Sequence, residues 1–146
     1  MTPDTSCCNS RASHEAILIV DDSPTIRRMV RAALRDGWSG RLVDAGSGLE
    51  AIEQLTLATV VLMVLDLNMP DMHGLEVIRF VRQHPAYARL PILVLTTRGD
   101  DASREMALAA GATAYLTKPF QPRALADQSL ALVALAAGAS NTHVQP

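Results

Sequence analysis

The sequence has little that would tie it to a membrane, a nucleic acid or an oxidising compartment. Aromatic residues are scarce, with one Trp, two Tyr and two Phe among 146 residues. Neither sign of charge dominates. The 13 Lys and Arg stand against 15 Asp and Glu for a net charge of −2, so there is no basic footprint for nucleic acid or an anionic bilayer. No apolar run approaches the ~20 residues of a membrane span, and the N-terminus lacks the apolar stretch of a secretion signal. The two cysteines, Cys7 and Cys8, are adjacent in a polar segment, a spacing that suits neither a structural bridge nor a zinc site. They read as free thiols of a cytoplasmic protein. Hydrophobic residues, at 49%, are plentiful enough for one packed domain.

Those hydrophobics fall into short continuous runs that alternate with helical periodicity. Residues 16–20, 60–65, 92–95 and 114–117 read as strands buried on both faces, and Leu42-Val43 as a shorter one. After the first run, Ser23 and Pro24 supply a hydroxyl cap and a proline at the first helical position. Ile26, Met29, Val30, Ala33 and Leu34 follow at spacings of three and four, with Gly37 as the stop. Ser47-Gly48-Leu49-Glu50 reads as a capping box for a second helix. A third helix carries Leu75, Ile78 and Val81 and ends before Pro85. A fourth is capped by Asp100 or Asp101 and stopped at Gly111. The last opens at Gln121-Pro122 and runs to about Ala137. Five β-α repeats of this kind make an α/β fold with a parallel sheet covered on both faces. The expected domain spans 16–137, between a disordered N-terminal arm (1–15) and a flexible C-terminal tail (138–146).

The chemistry stands at the ends of the runs. Asp21-Asp22-Ser23 closes the first, Asp66 the third, Thr96-Thr97 the fourth, and Lys118-Pro119 the fifth. The carboxyl ends of parallel strands share one edge of a sheet, where ligands of open α/β folds bind. Three carboxylates with one lysine and one hydroxyl suit a hard divalent cation and a phosphoryl group.

These residues, in this order, resemble the receiver domain of two-component response regulators, including the single-domain chemotaxis type. The resemblance covers roughly Ala16 to Ala137 and rests on Asp21-Asp22, Asp66-Leu67-Asn68-Met69-Pro70-Asp71-Met72-His73-Gly74, Thr96 and Lys118-Pro119-Phe120. It implies a flavodoxin-like (βα)5 sheet of order 2-1-3-4-5, the order the receiver fold itself exemplifies. It implies Asp66 as phosphoacceptor, with Mg²⁺ held by Asp21, Asp22, Asp66 and the backbone carbonyl of Asn68. It further implies phosphoryl contacts from Thr96 and Lys118, a cis Lys118–Pro119 bond, and a switch aromatic at Tyr115. Asn68 and Arg98 would tune dephosphorylation. A sensor histidine kinase or histidine phosphotransfer protein would be the donor. The output would be a protein contact, with a target or a second copy, through the fourth helix, fifth strand and fifth helix. No output domain is expected in 138–146.

Two other classes bear on the same residues. A phosphatase of the haloacid dehalogenase type also uses an aspartyl nucleophile, but calls for a second aspartate where Asn68 stands. A phosphorylation-independent interaction module would not need the acidic site. The last helix carries large apolar groups on more than one face, Leu130 to Ala137, which points to an exposed patch with Leu132 at an outward position. Trp38, the only tryptophan, would report metal binding if it lies near the site.

Overall fold

The computed structural model describes residues 14–69, 73–97 and 99–144, with side chains described as far as residue 137. Cys7, Cys8, Arg98 and Pro70-Asp71-Met72 lie outside the described residues. The elements run β1 (Glu15–Val20), α1 (Pro24–Arg35), β2 (Arg41–Ala45), α2 (Gly48–Leu57), β3 (Thr59–Asp66), α3 (Gly74–Gln83), β4 (Ile92–Thr97), α4 (Asp101–Ala110), β5 (Ala114–Lys118) and α5 (Pro122–Val144). All strand pairs are parallel, in the order β2-β1-β3-β4-β5.

Successive strand residues point to opposite faces, and here both faces are covered. Leu18, Val20, Met63, Leu65, Ile92 and Val94 enter one core, closed by α2, α3 and α4. Ile17, Ile19, Leu62, Val64, Leu93 and Leu95 enter the other, closed by Val30 and Leu34 of α1 and Leu125 of α5. This double burial is why the central strands appear in the sequence as unbroken apolar runs.

The helix starts follow local chemistry. Ser23 Oγ accepts the Ile26 amide of α1 at 3.3 Å, Ser47 Oγ the Glu50 amide of α2 at 3.1 Å, and Asp100 Oδ1 the Ser103 amide of α4 at 3.3 Å. The Glu50 carboxylate reaches back to the amide of Gly46 rather than that of Ser47, so the capping box is displaced by one residue. His73 caps α3, its Nδ1 accepting the Leu75 amide at 3.1 Å.

Two expectations are corrected. The last helix does not stop near Ala137; it continues to Val144. Gly138 disfavours a helix by about 1 kcal/mol relative to Ala, but no proline interrupts the chain before Pro146. Leu132 is not outward. With Val133 it packs against the core beneath α1 and α5, and the strongly exposed leucine of that helix is Leu135, at 68%. No helix among the described residues is long and apolar enough to cross a membrane.

Candidate phosphoryl and metal site

Register brings the site together. β1 lies between β2 and β3, with Val20 opposite Ala45 and Leu65, so Asp21 and Asp66 emerge side by side. Asp66 pairs with Leu95, and Thr97 with Lys118. The carboxyl ends of β1, β3, β4 and β5 therefore present Asp21, Asp66, Thr96 and Lys118 along one edge.

Asp21, Asp66 and Thr96 are buried polar residues, while Asp22 and Asn68 are exposed. Asp21, Asp22 and Asp66 each offer an oxygen, all within 4.8 Å of one another. Lys118 Nζ lies 3.1 Å from Asp21 Oδ2 and 3.2 Å from Asp66 Oδ1. The Asn68 amide leans on Asp66 Oδ1 at 3.4 Å, and the Ser23 amide donates to Asp21 Oδ1 at 2.9 Å. Asp21 thus supports the turn leading into α1, and the capping oxygen belongs to Ser23.

Burial, and then the Asp21 carboxylate, push the Asp66 carboxyl above its ordinary range, against the pull of Lys118 and the Asn68 amide. Burial alone would lower Lys118, but Asp66 and Asp21 outweigh it and raise it, so its ammonium stays charged. One ammonium faces three carboxylates. The shortfall of positive charge, the all-oxygen donor set and the mutual proximity of the oxygens fit a hard divalent cation.

Other residues singled out in the sequence stand further off. Among the described residues no hydrogen bond joins the Thr96 hydroxyl to Asp66 or Lys118. Tyr115 is partly exposed in β5, its ring under the Arg104 guanidinium, 4.8 Å from Cζ to ring centroid. The Lys118–Pro119 bond is cis. Trp38 donates to the Arg41 carbonyl at 2.9 Å, where β2 begins opposite Ala16, so it sits at the far end of β1 from the acidic cluster. Sequence reasoning missed Arg27, whose Nη1 donates to the Asp21 carbonyl at 2.5 Å. Its only signal was an arginine one turn into the helix after the acidic pair.

The response regulator receiver domain family model matches residues 17–129 of this chain. A chemotaxis protein CheY homolog of Campylobacter jejuni is 38% identical over 113 residues, 77% of this chain and 87% of that protein. Chemotaxis protein CheY1 of Helicobacter pylori is 36% identical, over 77% of this chain and 91% of its own. The high-resolution structure of chemotaxis response regulator CheY4 of Vibrio cholerae superposes with a TM-score of 0.74 at 36% identity, covering 81% of this chain and 98% of that one. The chain belongs to the response regulator receiver domain family.

Proposed function

We propose that this receiver takes a phosphoryl group on Asp66 from a histidine kinase or histidine phosphotransfer protein, with Mg²⁺, and then hydrolyses it. The observation that carries this reading is the buried Asp66 carboxylate, within ion-pair distance of Lys118 and sharing a 4.8 Å cluster with Asp21 and Asp22. Asp21, Asp22, Asp66 and the Asn68 carbonyl would hold the cation. When bound, Mg²⁺ supplies positive charge that offsets the like charges of the cluster and of the phosphoryl oxygens.

An Asp66 oxygen attacks phosphorus as the P–N bond to the donor histidine breaks, and the electron pair leaves with the imidazole. Lys118 lies against the same carboxylate and neutralises charge on the transferred group. Thr96, at the neighbouring strand end, offers its hydroxyl to a phosphoryl oxygen after a small approach. In the reverse phase water attacks phosphorus and Asp66 leaves as carboxylate. Asn68 and Arg98, each two residues past a site residue in the sequence, would set the lifetime of the phosphoryl group.

The output is a protein contact at α4, β5 and α5. Exposed Met106, Leu108, Tyr115 and Leu135 on those elements support it, as do the chemotaxis names of the curated relatives, which this chain nearly spans. The test is incubation with acetyl phosphate and Mg²⁺. Wild type should acquire a base-labile label that does not form in the presence of EDTA or in Asp66→Asn. A label retained by Asp66→Asn would move the acceptor elsewhere, and rapid turnover without a labelled intermediate would favour a phosphatase.

A further inference from the structure

Every polar group of Asp21 is held, and Arg27 is the charged side chain that holds it from outside the cluster. The Asp21 amide donates to the Ala45 carbonyl at 3.1 Å, and its two carboxylate oxygens accept from Ser23 and Lys118. Its carbonyl accepts from Arg27 Nη1. Arg27 is itself anchored on β2. Its Nε faces Asp44 Oδ2 at 3.5 Å, an ion pair without a hydrogen bond from that buried nitrogen. One turn later Arg31 fixes Asp44 from the other side, at 2.7 Å to Oδ1, while also donating to the Leu42 carbonyl at 3.0 Å. A Cβ on Gly46 would lie 3.3 Å from Arg27 Nη1, a tight contact with the guanidinium.

We infer that Arg27, anchored by Asp44, is a positioning residue that fixes the Asp21-Asp22 turn and thereby sets the affinity of the acidic cluster for a divalent cation. The inference rests on the reading of that cluster as a Mg²⁺ site. Two adjacent carboxylates at a strand end repel each other, and the turn carrying them opens unless its backbone is tied. Arg27 ties it through the Asp21 carbonyl, and its charge is turned toward Asp44. Outer groups that orient metal ligands typically change metal affinity by about 10–100-fold when removed.

A bystander charge would act with the opposite sign. If Arg27 mattered only as a nearby cation, its loss would tighten Mg²⁺ binding, and loss of Asp44 would weaken it. If Arg27 positions the turn, loss of either member of the pair weakens binding. The experiment is Mg²⁺ titration by calorimetry on the full chain, well below the melting temperature, for wild type, Arg27→Gln, Arg27→Lys and Asp44→Asn. Circular dichroism checks that each variant is folded. We expect Arg27→Gln to weaken binding roughly tenfold, Asp44→Asn to weaken it in the same direction, and Arg27→Lys to fall between wild type and Arg27→Gln. Unchanged or tighter binding in Arg27→Gln overturns the inference, as does an opposite sign for the two neutral variants. If Arg27→Gln does not fold, Arg27→Lys carries the test, because it keeps the charge and loses the guanidinium: binding weaker than wild type supports the inference and unchanged binding overturns it. A wild type that takes up no Mg²⁺ overturns the metal-site reading. A wild type that binds, an Asp22→Asn that does not, and an Arg27→Gln that binds normally overturn the role of Arg27 alone.

Discussion

Lys118 is as close to Asp21 as to Asp66, with Nζ 3.1 Å from Asp21 Oδ2 across 97 residues of sequence. The lysine is therefore a shared counter-ion for two buried carboxylates. Lys118→Met leaves both without it, and breaking a buried pair by removing one partner destabilises by several kcal/mol. With the Lys118 side chain 23% exposed, the lower end applies, about 3 kcal/mol. A cation that binds only the folded state restores stability by linkage. Urea unfolding with and without Mg²⁺ should show a larger Mg²⁺-dependent gain in Lys118→Met than in wild type. Equal gains would mean that lysine and metal do not answer the same charge.

Asp66 offers a second test through pH. Its carboxyl is raised from 3.8 by burial and by Asp21, so its ionised form opposes folding. That opposition is fully present above the folded-state pKa and gone below 3.8, where the group is protonated in both states. Asp66→Asn should accordingly melt higher than wild type at pH 7 without Mg²⁺, and the advantage should shrink as pH falls. Thermal melts of the two proteins between pH 8 and pH 4 decide it. A gap that does not change with pH would place the effect in packing rather than charge.

The strands and the strand-end carboxylates were legible because a doubly covered sheet demands unbroken apolar runs, and each run stops where the chain meets the site; the strand order was legible only through the resemblance to receiver domains. β2 was less legible. Only Leu42-Val43 stood out, because an edge strand carries polar residues such as Arg41 and Asp44. Pairings across the fold were not legible either. Lys118 with Asp21, and Arg27 with Asp44, depend on register and on rotamers that no local pattern encodes. The inward turn of Leu132 belongs with these, because a helix apolar on several faces does not say which face meets the core. Trp38 was a matter of direction: it follows α1, which carries the chain back to the opposite end of β1, so its fluorescence should not respond to Mg²⁺.

The Arg104–Tyr115 stack bears on the output face. Arg104 covers the ring, its Nη1 stands 3.4 Å from the Tyr115 hydroxyl, and Asp101 holds the guanidinium at 3.4 Å. Such exposed contacts are worth at most about 1 kcal/mol each, so Arg104→Ala, which removes both the stack and the Asp101 pair, should change stability by no more than about 2 kcal/mol. It should nonetheless release the ring from its partly exposed position. Ring resonances of Tyr115 in NMR spectra should move toward those of the phosphorylated wild type. Resonances that stay where they are in wild type would show that packing beneath the ring, rather than the arginine, sets its position.

Gly74 gives the most local test of the site's backbone. It opens α3, and its amide donates to the Leu67 carbonyl at 3.0 Å, tying the start of α3 to the residue that follows β3. A Cβ there would lie 2.7 Å from Leu67 Cα and 2.9 Å from the Asp66 carbonyl oxygen. Both are backbone atoms next to the phosphoacceptor and cannot rotate away. At Gly37 the obstructing atom is the Leu130 Cδ1 methyl, 2.6 Å away at the end of a side chain that can change rotamer. Overpacking typically destabilises by about 1–3 kcal/mol. Gly74→Ala should fall toward the upper part of that range and Gly37→Ala toward the lower. Gly74→Ala should also slow labelling of Asp66 by acetyl phosphate, because displacing the Asp66 carbonyl turns its carboxylate away from Lys118. Gly37→Ala should label at the wild-type rate. Labelling kinetics for both variants, measured where both remain folded, separate a shifted site from a weakened fold. A Gly74→Ala protein that loses stability yet labels normally would show that Asp66 is held by Lys118 and not by the loop behind it.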